Sequence, residues 1–276
     1  MKNLNKKKLA AASALLLTGL LLADSKYNLK ITEQRLTFDK LPAAFDGLHI
    51  VQLSDLHGAQ FGKDNKRLAE AVKELEPDII VMTGDMADNK DNIGVFDALL
   101  QRICSVAPCY YVSGNHEWGG RCMPEIKQML EKYGVRHLAD EYIPIYRNGE
   151  KIIIAGVEDP MGRADAIKPD EVAEKLRADY PDEFALLLGH RNHWVEEYFS
   201  LPVDLILCGH AHGGLVRLPL LGGMINVKHS FIAQHEKGIY HGENFVMNVS
   251  CGLGNSVSIP RFLNRPELVS LKLYKS

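Results

Sequence analysis

From residue 48 onward, short unbroken apolar runs alternate with stretches whose apolar residues recur every three or four positions. LHIVQLSD (48–55), DIIVMTGD (78–85) and CYYVSGNHE (109–117) read as strands. Runs of this length, rich in β-branched and aromatic side chains, suit strands buried on both faces. Between them, Leu68, Val72 and Leu75 fall at helical spacing within 63–75, and 95–103 repeats the pattern. A further helix is predicted over 124–133, where Pro124 fits a first-turn position. This β-α-β-α-β rhythm argues for a mostly parallel sheet. The second half adds strands over 152–159, 184–190, 204–210 and 245–254, with a helix over 170–180. No tandem repeat, low-complexity tract or internal boundary divides the region, so 46–276 reads as one domain. Residues 25–45 read as a polar linker and first edge segment.

The amino-terminal pattern differs. Lys2, Lys6, Lys7 and Lys8 precede an uncharged run from Leu9 to Ala23. A basic segment followed by such a run fits a signal peptide or short signal-anchor over residues 1–24, although it falls below the ~20 residues that span a bilayer comfortably. The lysines hold the amino end in the cytoplasm and send the rest across. The expected address is therefore the cell membrane with an extracytoplasmic domain, or secretion if the leader is cleaved. Leu21 and Ala23 match a cleavage signal poorly, which favours retention as an anchor.

Composition changes this picture little. The chain is 46% hydrophobic and 24% charged, ordinary for a globular protein, and its net charge of -3 provides no basic field for a polyanion. Nucleic acid is not an expected partner. The five cysteines form no CxxC pair. Cys208 and Cys251 lie in apolar runs and read as small buried hydrophobes, whereas Cys104, Cys109 and Cys122 could supply one disulfide without the sequence choosing the pair.

The chemistry lies where the apolar runs stop. Five of them end in SDLH, TGD, SGNHE, LGH and CGHAH. In open α/β sheets a site forms outside the carboxyl ends of the strands, so these ends can converge. A single Asp-x-His occurs by chance in many loops; five such endings in one chain do not. Carboxylate, imidazole and amide oxygen together suit Mn, Fe or Zn rather than thiolate-loving ions, and the set suffices for two. Two ions can clamp the attacking and leaving oxygens of a phosphoryl displacement and bring a water's pKa towards neutrality. No side-chain nucleophile is then needed, and GxSxG, P-loop and strand-linked GxGxxG motifs are absent.

SDLHG, TGDMAD, SGNHEWG, LLLGH and CGHAHGG, in that order, resemble the motif blocks of calcineurin-like metallophosphoesterases over roughly residues 46–273. The resemblance implies a four-layer αββα sandwich and a dinuclear site. Asp55, His57 and His212 would hold one ion, Asn115, His190 and His210 the other, with Asp85 bridging and His116 as general acid. The tail, GLGNSVSIPRFLNRPELVSLKL, and the leader resemble the membrane-associated bacterial subgroup. Some of its members hydrolyse the pyrophosphate of UDP-diacylglucosamine-type lipids, which implies a lipid-linked phosphodiester or pyrophosphate substrate. A non-catalytic scaffold and a nuclease are the alternatives; the complete ligand set argues against the first, and the charge and address against the second.

Two stretches depart from the family pattern. GHRNHW (189–194) offers His193 as a rival to His190 and leaves Arg191 to reach a phosphate. GGLVRLPLLGGMI (213–225) could form a lipid-facing lip, and Arg217 within it is a second candidate for substrate binding. For Arg217, Arg261 and Arg265 alike, a solvated face or structural ion pair competes with that role. Glu117 and Asp88 read as loop or supporting residues, and His49 as a core histidine. His137, His229, His235 and His241 read as surface or turn residues.

Overall fold

The computed structural model describes residues 2–162, 167–225 and 234–276. Helix α1 (Lys2–Tyr27) leads into β1 (Lys30–Phe38), followed by β2 (Leu48–Leu53), α2 (Lys66–Glu74), β3 (Ile79–Thr83), α3 (Ile93–Ile103) and β4 (Cys109–Val112). The first half ends with a short helix α4 (Asn115–Gly119), α5 (Met123–Tyr133) and β5 (Arg136–His137). The second half contains β6 (Glu141–Arg147), β7 (Glu150–Gly156), α6 (Pro169–Asp179), β8 (Ala185–Leu188), α7 (Trp194–Glu197) and β9 (Leu205–Cys208). A small hairpin of β10 (Arg217–Leu218) and β11 (Gly222–Gly223) follows, and β12 (Gly238–His241), β13 (Val246–Val249) and β14 (Glu267–Lys275) close the fold.

These strands form two six-stranded sheets, ordered β1-β14-β2-β3-β4-β5 and β12-β13-β9-β8-β7-β6. Side-chain alternation explains why they stack. In β7, Ile152 and Ile154 join Ile50, Val81, Leu186 and Leu207 in the layer between the sheets. Ile153 and Ala155, pointing the other way, pack with Val172 and Leu176 of α6 and with Trp194 of α7. On the opposite side, Val51, Ile80 and Met82 pack beneath Leu68, Phe96 and Ile126 of α2, α3 and α5. The result is a four-layer αββα sandwich.

Several sequence expectations change here. The αββα sandwich implied by the resemblance is present, whereas the mostly parallel sheet read from periodicity is mixed: β2, β3, β4 and β5 are parallel, while β14 runs antiparallel to β2 and β6 antiparallel to β7. CYYVSGNHE is strand only as far as Val112, because the Glu117 carboxylate accepts the Gly114 N–H at 2.9 Å and starts α4 there. FVMNVSCGLG is strand only over Val246–Val249. Residues 30–38 of the polar stretch form the edge strand β1, paired along its length with β14. All five cysteines carry free thiols, with Cys208 and Cys251 fully buried.

Candidate metal centre

Each strand that carries a motif ends at the same edge of the two sheets, and the backbone turns sharply there. Asp55, His57, Asp85, His210 and His212 all have left-handed φ, between 48° and 69°. A non-glycine residue in that region costs on the order of 1–2 kcal/mol. Five such residues at one place are held by the surrounding structure, not by local preference. Two glycines make room for the carboxylates: a Cβ on Gly114 would lie 2.2 Å from Asp85 Oδ1, and one on Gly209 2.2 Å from Asp55 Oδ2. The glycines of GNH and CGH are therefore close-approach positions.

All seven candidate ligands come together. Asp55, His57 and His212 place ligand atoms within 4.8 Å of one another, and so do Asp85, His190 and His210. His57 Nε2 faces His212 Nε2 at 3.1 Å, and His190 Nε2 faces His210 Nδ1 at 3.1 Å. Asp85 Oδ2 lies 3.1 Å from His190 Nε2 and 3.6 Å from His57 Nε2, between the two groups. The Asn115 side-chain oxygen lies 3.2 Å from His190 Nε2. His193, the rival, stands on the surface and pairs with Glu197 at 3.3 Å.

The outward hydrogen bonds decide which ring nitrogens face inward. The carbonyl of Thr83 can only accept, so His190 donates to it through Nδ1 at 2.9 Å. His57 likewise directs Nδ1 to the Asp88 carboxylate at 2.5 Å. Both rings then turn Nε2 towards carboxylate oxygens, an arrangement that needs a positive charge between the partners. A proton can supply it: burial opposes charging His190, yet Asp85, Asp55 and Asp159 push it up to about 10. Burial also opposes ionising Asp85, but His190, His57 and His116 hold it well below the usual carboxylate range. Asp55 is raised by burial and by the Asp85 charge. His210 and His212 are pushed well below the ordinary imidazole value, by burial and by His190 and His57 respectively. Two buried carboxylates, imidazole nitrogens and an amide oxygen fit divalent ions with oxygen and nitrogen ligands.

Asp88 and Glu117 prove more consequential than loop residues. Asp88 Oδ1 meets both His57 Nδ1 and, at 2.9 Å, His116 Nδ1, tying a candidate ligand to the candidate acid. Glu117 is fully buried and accepts the N–H groups of Asp85 at 3.0 Å and Met86 at 2.6 Å. It thereby fixes the turn that carries Asp85. Burial and the Asp85 charge push its carboxyl up to about 7. The only sequence signal for either residue is its place inside TGDMAD and SGNHE.

The arginines separate. Arg191 spans Asp159 with two N–H groups, at 2.6 and 3.0 Å, and reaches His210 Nε2 at 3.1 Å. Arg217 is engaged by the Gly213 carbonyl and Glu236. Arg261 is buried, donating to the carbonyls of Cys251 and Gly254 and reaching His212 Nδ1 at 3.3 Å, which is neither a solvated face nor an ion pair. Arg265 pairs with Asp24 at the end of α1. His49 is buried against Ser270, 2.8 Å away. His137 is not a surface residue: it lies in β5, paired with the buried Glu158. His235 meets Glu196, His241 is exposed in β12, and His229 lies outside the described residues.

Comparison with known proteins agrees with this geometry. A family model described as calcineurin-like phosphoesterase matches residues 48–214. An uncharacterized metallophosphoesterase of Bacillus subtilis, YkuE, is 30% identical over 89% of this chain and 85% of its own length. The phosphodiesterase YaeI of Escherichia coli is 30% identical over 70% of each chain. The structure of a dimetal phosphatase from Danio rerio superimposes with a TM-score of 0.51 at 13% identity, over 83% of this chain and 94% of the other, a likeness of fold.

Proposed function

Because the chain belongs to the calcineurin-like phosphoesterase family, we propose that this metallophosphoesterase hydrolyses a phosphodiester or pyrophosphate in a lipid-linked, UDP-diacylglucosamine-like substrate at the outer face of a membrane. The observation that carries the reaction is the position of Asp85, whose carboxylate lies between the Asp55/His57/His212 group and the His190/His210 group. Asp55, His57 and His212 would hold one divalent ion and Asn115, His190 and His210 the other, with Asp85 shared. When bound, the ions would supply Lewis acidity and a water nucleophile at neutral pH.

The chain itself supplies the rest. A cleft of ≈ 190 Å³ lies over the cluster, lined by Asp85, Asn115, His116, His210, His212, Ser256 and Val257. His116 sits at its edge, and Asp88 accepts at Nδ1, leaving Nε2 to deliver a proton to the departing oxygen. Burial opposes charging this ring, but Asp88, Asp85 and Glu117 raise it above the ordinary value, which favours the form that can donate. Arg191, braced by Asp159, holds His210 and presents positive charge beside the cleft.

The placement rests on α1. Lys6–Tyr27 is long and apolar enough to cross a membrane, with mean hydropathy 1.4, and most of its leucines are exposed. The yeild of the reaction is tested with bis-p-nitrophenyl phosphate and added Mn. Asp85→Ala is expected to lower turnover by on the order of 10³. Equal rates for native protein and variant, across several metals and mono-, di- and pyrophosphate esters, would overturn the reading.

A further inference from the structure

A second cavity lies beside the metal centre, and nothing in the hydrolytic chemistry requires it. It measures ≈ 540 Å³, within the roughly 300–1,000 Å³ of small-molecule sites. Its inner end is His57, a candidate ligand, with Ala59 and Phe61 beyond it. Its outer wall is the end of the membrane-length helix: Leu22, Ala23 and Tyr27 of α1. Leu253 and Pro260 close the remaining side. The segment 255–258 lies between the two cavities, with Asn255 and Ser258 lining this one and Ser256 and Val257 lining the cleft over the ligands.

Lys26, Gln60, Asn255 and Arg261 stand among the apolar side chains of the lining. Arg265 grips Asp24 with two contacts of 2.7 Å, holding the end of α1 against the segment that forms the cavity wall. Leu263, exposed, follows in that segment, and Phe262 is bridged to Val216 at the base of the β10–β11 hairpin. The hairpin tip exposes Leu218, Leu220 and Leu221. Exposed leucines thus stand on α1 and on the hairpin, the two elements that contact the 262–265 segment. A helix leaving a bilayer at Ala23 would set this mouth at the membrane interface.

We infer that this cavity is the seat of an acyl chain of the lipid substrate, with α1 as one wall of the substrate site as well as the anchor. The inference rests on the hydrolytic reading above and deepens it. The chain enters from the bilayer between α1 and Pro260, its far end lies along Leu22 and Tyr27, and the phosphoester emerges beside His57 at the ligand cluster. Burial of the chain against these apolar walls supplies binding that a water-soluble diester lacks.

The test compares hexadecyl p-nitrophenyl phosphate with methyl p-nitrophenyl phosphate, using full-length protein with Mn in one mixed-micelle preparation. The reacting diester and leaving group are identical, so only the chain differs. The kcat/KM ratio of hexadecyl over methyl is expected to be at least tenfold for the native protein, and to collapse towards one for Ala23→Trp and for Ser258→Trp. Both positions are exposed, so neither variant burdens the core, and they fill the cavity from opposite walls. A phospholipid carrying a diazirine at its chain end should also cross-link to residues 22–27. A native ratio near one alongside methyl diester hydrolysis overturns the inference and leaves the phosphodiesterase reading standing. So does a ratio untouched by both tryptophans, or cross-linking confined to Leu9–Leu20. Hydrolysis of neither diester overturns the underlying reading and the inference with it.

Discussion

At the scale of single residues, the centre sets ligand chemistry against backbone comfort. Asp85 occupies left-handed backbone, is fully surrounded, and shares its site with the Asp55 carboxylate. Asparagine keeps the shape, tolerates that backbone and removes one negative charge. Asp85→Asn is therefore expected to lower turnover by on the order of 10³ and to lower the melting temperature in chelator, because His190 and His57 lose the carboxylate they face. Calorimetry with EDTA checks this, and an unchanged or higher melting temperature would contradict it. His116 makes a different prediction. Removing a general acid costs roughly 10²–10⁴, but least when the leaving group departs unaided. His116→Gln should thus be hurt far more on an alkyl diester than on a p-nitrophenyl one, as paired rate measurements would show. The clustering of the candidate ligands was legible in the sequence because each directly follows an apolar run. Asp88 and Glu117 were legible only as loop or supporting residues, because their contacts to His57, His116 and the Asp85 amide are made across the fold. Arg261 was misjudged for a similar reason: its partners are backbone carbonyls, which no pattern of side chains reveals.

At the scale of elements, the helices and strands of the β-α-β core were readable from periodicity, whereas the sheet each strand joins was not. Strands 152–156 and 79–83 are both buried on two faces, so their sequences look alike although they lie in different layers. β14 was missed as a strand because it follows an irregular tail, and β1 was read only as part of a linker and first edge segment because polar residues alternate along it. One contact set locks these elements. Glu267, at the start of β14, meets Lys237 at 2.5 Å, the Thr32 hydroxyl of β1 and the Cys251 amide at 2.9 Å. Burial alone would raise its carboxyl, but Lys237, the amide and the hydroxyl outweigh burial and hold it below the ordinary value. A depressed carboxyl stabilises the fold above its unfolded value and loses that contribution as pH falls through the folded value. Glu267→Gln is accordingly expected to cost about 3 kcal/mol at neutral pH, and progressively less as pH falls below ~4.3, where the unfolded chain's carboxyl takes up its proton before the folded one. Urea titrations at pH 7 and pH 3.5 measure the difference; an equal loss at both would rule out the ionic account.

At the scale of the whole molecule, ion binding would be linked to folding, because the seven candidate ligands come from segments spread between Asp55 and His212. Ions that bind only the folded chain should raise its melting temperature, by about 2.7 kcal/mol of stability at a hundredfold excess over Kd, and EDTA should reverse the rise in a thermal scan. Removal of residues 1–24 should leave the sandwich folded, since the Asp24–Arg265 pair is exposed and such pairs contribute about 0–1 kcal/mol. Circular dichroism of that truncation checks it. The order of the first sheet has a consequence for how the molecule is made. β14 lies between β1 and β2, so the earliest strand has no neighbour until the final nine-residue strand arrives. During synthesis the amino-terminal edge waits unlatched while every ligand-bearing segment has already emerged. Maturation then ends with a zipper: the tail threads between two older strands and closes the scaffold beneath the metal centre.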